Sequence, residues 1–290
     1  MFPARSSTKI QVPYPSSPDT PLTGIFEQLA GADAPTQGRP IALILHGAMG
    51  HKDYLFQKRL AQRLPLDSFR FDFRGNHESP GTTRYGAFQD DVEDLFVVGR
   101  FLRAMGYVIT LVVGHSRGSV CAMRWLCTAP EATSVSAFVN ASGRYRMEKI
   151  LETANGRLWQ SGFAKDGFYD WHTTVARQPV TLRILPADLT AFTQWDTSVV
   201  WDAFPAHVHV LTLHGMRDAV VPAYDALIYA RALGGRQPGT HTLCMMEEGD
   251  HNFTGRQDEV VGYILDWWDA LGRGEVTVSG VWGTGMKGKL

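Results

Sequence analysis

The sequence predicts an α/β fold, with a mostly parallel central sheet, helices on both faces and a helical cap insertion. Three observations carry this. Short apolar runs alternate with longer segments of helical period along most of the chain, the pattern of strands joined by helical crossovers. A Gly-flanked turn, Gly114-His115-Ser116-Arg117-Gly118, stands between one such run and one such helix. The chain has 290 residues, 44% of them hydrophobic, enough for one large core with an insertion.

Taken in order, residues 41–45 read as a buried strand and 54–64 as a helix. Residues 69–73 form the next strand. A long helix follows over 88–105, with Asp90, Asp91, Glu93 and Asp94 in its first turns, where the helix dipole favours negative charge. The strand 107–113 runs into the turn at Ser116, and a helix (119–129) and a strand (135–139) come after it. The rhythm resumes with strand 208–213, helix 222–233, strand 241–246 and helix 257–271. Segments 9–12 and 22–28 fit an antiparallel edge. The glycine-rich tail from Gly272, with its Val-Thr-Val, either adds a short strand or frays.

Residues 144–205 break this alternation and divide the chain into a core (1–143 and 206–290) and a cap. The cap carries four of the eight tryptophans, Trp159, Trp171, Trp195 and Trp201, with several phenylalanines. Its place in the order puts it over the carboxyl ends of the strands, where ligands bind in open α/β sheets. Most of these aromatics serve to pack the cap onto the core. The remainder, for which Trp159, Trp171 and Trp195 are the candidates together with Met49, line a largely apolar acyl or aromatic pocket.

Composition excludes several classes. A formal charge of −1 provides no basic field for nucleic acid or anionic lipid. No run approaches the roughly 20 apolar residues of a membrane span. The Ser- and Pro-rich residues 1–18 lack the apolar core of a signal peptide, and the sequons at Asn140 and Asn252 are poorly placed for a glycan, so a cytoplasmic location is expected. Cys121, Cys127 and Cys244 cannot all pair and read as buried thiols. No His/Cys cluster has ligand spacing, so neither metal nor cofactor is expected. The expected partner is a small molecule, and oligomeric state is not legible.

A serine between two glycines, after a buried strand and before a helix, has the form of a nucleophile elbow. The turn must hold the hydroxyl clear of the backbone, and a side chain at either glycine would collide with the crossing strand and helix. That hydroxyl is barely ionised at neutral pH and needs a base. Of the ten histidines, His251 lies in a loop between the last clear strand and the last helix. His46, His51 and His77 lie in loops near the same edge and are lesser candidates; His115 adjoins the serine but points along the elbow, and His214 shapes a turn. An acid must orient the base and stabilise its charged form. Asp218 follows a strand on the same edge, and Asp250, beside His251, is its rival. The developing oxyanion needs two donors: the N–H of Arg117, and that of Ala48 in His46-Gly47-Ala48-Met49-Gly50, with Met49 the alternate.

These motifs together resemble a known family. His46-Gly47 with Gly50, Phe71-Asp72-Phe73-Arg74-Gly75 with Glu78-Ser79, the elbow, His214-Gly215 with Asp218 and Val221-Pro222, and Asp250-His251 with Phe253 resemble the α/β-hydrolase-fold serine hydrolases. The chain is similar to their cinnamoyl/feruloyl esterase-like and serine aminopeptidase-like branches over about residues 40–255, the cap not matching in detail. It departs from the pattern at Asn76-His77 and at Ser119. The resemblance implies hydrolysis of carboxylic esters of small to medium apolar or aromatic acyl groups through an acyl-enzyme, on a Ser116–His251–Asp218 triad. Thioester, lactone, amide or peptide hydrolysis would use the same residues; an aminopeptidase would also need a pocket acid such as Asp166, Asp170 or Asp188. A non-catalytic ligand-binding protein on the same fold is the reading from another class.

Overall fold

The computed structural model describes residues 5–281 apart from 16, 18, 30, 32 and 33. In chain order its strands are β1 (Ser6–Val12), β2 (Leu22–Gln28), β3 (Pro40–Leu45), β4 (Asp67–Phe71), β5 (Val108–His115), β6 (Ala137–Ala141), β7 (Tyr169–Val175), β8 (Gln178–Ile184), β9 (His209–Gly215), β10 (His241–Met246) and β11 (Gly280–Val281). The helices are α1 (Gln57–Arg63), α2 (Phe88–Ala104), α3 (Arg117–Thr128), α4 (Ala154–Asp166), α5 (Pro186–Thr193), α6 (Val199–Asp202), α7 (Tyr224–Leu233) and α8 (Gln257–Gly272).

Nine strands form one sheet in the order β1-β2-β4-β3-β5-β6-β9-β10-β11. The β1–β2 and β2–β4 pairs are antiparallel and all later pairs parallel. The parallel strands β3, β4, β5, β6, β9 and β10 are buried along most of their length because helices cover both faces. Along β3, Leu43 and Leu45 join the core beside α2 and α3, while Ala42 and Ile44 join the one beside α1 and α8. That is the two-residue period of a strand feeding two separate cores. Among the described residues no helix is long and apolar enough to cross a membrane.

The differences from the expected elements bear on the site. β5 runs on to His115, so the strand ends on the residue before Ser116. The tail contributes β11, parallel to β10; its last residues, 282–290, lie outside the described residues, as do residues 1–4.

Residues 144–205 hold α4, α5 and α6 and also the antiparallel hairpin β7–β8, which was not expected. Its turn residues Ala176 and Arg177 sit at φ of 48° and 67°. A two-residue hairpin turn needs that left-handed backbone, normally signalled by Asn-Gly or Asp-Gly; Ala-Arg gives no such signal. Within the insertion the Thr153 hydroxyl caps α4 by accepting from Gly156 N–H at 3.1 Å, and Gly167, at φ 81°, ends that helix.

Candidate active site

Ser116 sits at φ 51°, a left-handed conformation that costs a non-glycine residue about 1–3 kcal/mol and concentrates at functional turns. Surrounding contacts hold it there. Its N–H donates to the Ala141 carbonyl at 2.8 Å, tying the turn to β6. At Gly114 a Cβ would come within 2.6 Å of the Ser119 backbone, so the crossing of β5 and α3 admits only glycine. The Ser119 hydroxyl fastens the same crossing, donating to the Gly114 carbonyl at 2.6 Å.

Two loops from the other half of the sheet meet this turn. After β9, Met216 N–H donates to the Met246 carbonyl (2.8 Å) and Arg217 N–H to the Gly249 carbonyl (2.9 Å). The loops approach so closely that a Cβ at Gly215 would lie 2.2 Å from Gly249 O. This contact brings Asp218 and His251 together although 33 residues separate them. His251 Nδ1 lies 2.8 Å from Asp218 Oδ2, and His251 Nε2 lies 3.0 Å from Ser116 Oγ. With Nδ1–H donating to the carboxylate, Nε2 is left to accept the serine proton.

The Asp218 side chain is fully buried, and its other oxygen accepts the N–H groups of Val220 and Val221 at 2.8 and 2.7 Å. His214 Nε2 lies 3.0 Å from the Val221 carbonyl and 3.4 Å from Asp218 Oδ2. Burial opposes ionisation of Asp218, but hydrogen bonds from His214 and His251 outweigh it and hold the carboxyl below the usual range. Asp250, the rival acid, uses Oδ1 to accept the N–H groups of Asn252 and Thr254, shaping its own loop.

His115 has a place that its sequence position did not reveal. Its Nε2–H donates to the backbone carbonyl of His251 at 2.9 Å, linking the residue before Ser116 to the main chain of the histidine that faces it. Burial, then the nearby His251, pushes its pKa down to about 3, so it is neutral near pH 7. His46 fixes the facing turn, with Nε2 accepting Phe73 N–H at 3.0 Å and Nδ1 donating to the Gly47 carbonyl at 2.8 Å. Ala48 and Met49, from that turn, line the same cavity as Ser116 and His251. Arg117 opens α3, so its N–H has no partner within the helix.

The cavity measures about 420 Å3. Met49, Tyr54, Tyr85, Ile150, Trp159 and Trp171 are among its lining residues, and among the described residues no Asp, Glu, Lys or Arg lines it. Tyr85, which the sequence did not single out, meets Trp159 edge-on with ring centroids 4.7 Å apart. Trp195 does not line the cavity. It follows α5 where the chain returns to the core, stacking on Phe88 at 5.1 Å with the Arg124 guanidinium 4.8 Å from its ring. The acids considered for an amine also lie elsewhere: Asp170 is bonded twice to Arg183 at 2.8 Å, Asp188 accepts Leu185 N–H, and Asp166 lies beside Lys165.

Among the described residues one group, Asp72, His77 and Glu78, brings potential ligand atoms within 4.8 Å of one another. The Lys52 ammonium already lies 2.5 Å from both carboxylates and supplies the positive charge there.

Residues 42–262 match the alpha/beta hydrolase family. An uncharacterised Saccharomyces cerevisiae protein is 30% identical over 244 residues, covering 74% of this chain and 69% of its own length. Among solved structures, a hydrolase from Agrobacterium vitis S4 superposes with a TM-score of 0.67 at 20% identity, covering 94% of this chain and 99% of that one. The esterase Pf2001 of Pyrococcus furiosus gives 0.63 at 15% identity, covering 91% and 92%. Est1E of Butyrivibrio proteoclasticus, known also with ferulic acid bound, gives 0.63 at 14% identity, covering 90% and 97%. With the family match extending over most of its length, the chain belongs to the alpha/beta hydrolase family.

Proposed function

We propose that the protein is a serine hydrolase that cleaves carboxylic esters of small to medium apolar or aromatic acyl groups. The observation that carries this reading is the chain of contacts from Ser116 through His251 to Asp218, at 3.0 and 2.8 Å, opening on an uncharged aromatic cavity. Ser116 Oγ attacks the carbonyl carbon as His251 Nε2 takes its proton. The tetrahedral oxyanion accepts the N–H groups of Arg117 and Ala48, each such donor being worth roughly 10²–10³ in rate. The ester C–O bond breaks as His251 returns the proton to the departing alkoxide. Water then adds to the acyl-enzyme, again deprotonated by His251, releasing the acid and restoring Ser116. Asp218 keeps the imidazole in its reactive tautomer throughout, and no cofactor enters these steps.

Thioesters and lactones would react by the same steps. An aminopeptidase would have to bind a substrate ammonium, and the lack of a carboxylate in the cavity wall weighs against it.

The test is a panel of p-nitrophenyl esters of graded acyl length, run beside aryl esters and aminoacyl anilides, with fluorophosphonate labelling of Ser116. Esters should turn over, the label should attach, and Ser116→Ala should lower kcat by roughly 10⁴–10⁶. Turnover of anilides alone would overturn the esterase reading. An unlabelled, inactive wild type would favour a binding protein.

A further inference from the structure

Arg117 reaches with its side chain to two segments beyond the elbow. The guanidinium is 9% exposed. Its Nε donates to Asp91 in the first turn of α2, and its Nη1 donates to the Tyr85 carbonyl in the loop before that helix. We propose that this side chain is a positioning residue: it ties the elbow to Tyr85 and so fixes the ring that faces the acyl group of the substrate. This rests on the ester-hydrolase reading and adds to it the device that sets the acyl preference.

Tyr85 lines the Ser116 cavity among rings of the insertion. Trp159 and Trp171 meet it edge-on, with centroids 4.7 and 6.0 Å away, and Phe192 stacks on it at 5.0 Å. The next residue presses on the insertion as well, since a Cβ at Gly86 would lie 2.2 Å from the Asp188 carbonyl oxygen. Among the described residues the bond from Arg117 is the one hydrogen bond that Tyr85 makes, and it comes from the residue next to Ser116. Without it the loop would follow the insertion alone.

A guanidinium suits this double hold. Its N–H groups leave one rigid plane in different directions, so they reach acceptors on two segments at once; a lysine offers a single ammonium on a flexible stem. The group is itself fixed. The Phe88 ring centroid lies 4.2 Å from its Cζ, and Asp91 also faces Cys121, one turn further along α3, at 3.8 Å. An arginine that only stapled α3 to α2 would need Asp91 alone.

The test compares methyl phenylpropionate with methyl butyrate, which share a leaving group and differ in the ring of the acyl chain. The ratio of their kcat/KM values cancels any change common to both, including one at the oxyanion donors. Tyr85→Leu keeps apolar bulk and removes the ring; it should lower the ratio of phenylpropionate to butyrate by about fivefold, the scale of one lost ring pair. Arg117→Lys keeps a cation facing Asp91, so the melting temperature should stay near that of wild type while the ratio falls by a similar factor. In a Tyr85→Leu background Arg117→Lys should lower it no further, because the ring it positions is gone. Arg117→Met combined with Asp91→Leu leaves no buried charge unpaired and should show the same fall.

A wild-type ratio in either Arg117 variant would overturn the positioning role and leave Arg117 as a staple between two helices. So would an unchanged ratio in Tyr85→Leu, or losses from Tyr85→Leu and Arg117→Lys that add in full. Failure of the hydrolase reading looks different: neither methyl ester would turn over in the wild type, or activity would survive in Ser116→Ala.

Discussion

Asp218 meets His251 with one carboxylate oxygen and ties down its own turn with the other. Oδ2 lies 2.8 Å from His251 Nδ1, while Oδ1 accepts Val220 and Val221 N–H. The turn therefore holds the carboxylate in place before any substrate arrives, and no side-chain entropy is lost in aligning it. Such pre-set hydrogen bonding is what a group must have if it is to hold an imidazole in one tautomer.

Asp218→Asn should therefore separate geometry from chemistry. An Asn can still accept Val220 and Val221 N–H through its carbonyl oxygen, so the fold should survive with a similar melting temperature. Its NH2 would face His251 Nδ1 and favour the wrong tautomer, lowering kcat by about 10⁴. Asp250→Asn keeps an acceptor for Asn252 and Thr254 and should leave kcat within a few-fold. Steady-state kinetics on the two variants decide between the acids; the larger loss in Asp250→Asn would reverse the assignment.

Stability should fall as the solution is acidified, well before most carboxylates protonate. His115 and His241 are buried, and burial pushes both pKa values from 6.5 down to about 3. For a base with a depressed folded pKa, the unfolded chain binds more protons between those two values. Stability therefore drops as pH falls through that window and is fully present above about 6.5. His241 makes its hydrogen bond to Thr212 Oγ1, away from the elbow, and can be changed without touching Ser116. His241→Gln should make melting temperature less steep between about pH 6.5 and 4. An identical slope in wild type and variant would show that His241 is not part of this loss.

What could be read in advance follows from how local each signal is. The elbow is a contiguous motif, and Asp218 and His251 each follow a recognisable strand, so chain order alone anticipated a meeting of residues 33 positions apart. The hairpin β7–β8 was hidden because Ala176 and Arg177 adopt a turn usually marked by Gly or Asn. Trp195 misled because an aromatic in the insertion shows its bulk in the sequence but not its direction. Its indole lies on Phe88, whose position depends on how α2 packs. His115 and Tyr85 acquire their roles only from contacts between distant segments.

Gly114→Ala should test how tightly the elbow is built. The added methyl would stand 2.6 Å from the Ser119 backbone, and neither β5 nor α3 can withdraw without opening the core. Overpacking of this kind costs about 1–3 kcal/mol. Ser119→Ala removes the hydroxyl's bond to the Gly114 carbonyl and its longer one to the Ala141 carbonyl, and should cost about 1 kcal/mol. Denaturant titration of both variants should reproduce that order. If Gly114→Ala proves as stable as wild type, the close packing of this crossing is not what selects glycine there.

Arg144 carries the last expectation. Its side chain is 4% exposed, and it donates to the Val220 carbonyl within the turn that Asp218 organises. Among the described residues no carboxylate lies within ion-pair distance of it, so a positive charge is buried near Asp218 with only that turn to answer it. Burial lowers its pKa, while Tyr85, Asp225 and Asp218 act in the opposite direction. Arg144→Met keeps most of the bulk and removes both the charge and the bond to the Val220 carbonyl. The turn that positions Asp218 should then loosen, so melting temperature and kcat should fall together, the lost charged hydrogen bond being worth about 1.5–3 kcal/mol. Arg144→Lys keeps a donor and should recover part of both. An Arg144→Met variant as stable and as active as wild type would show that this bond does not hold the turn.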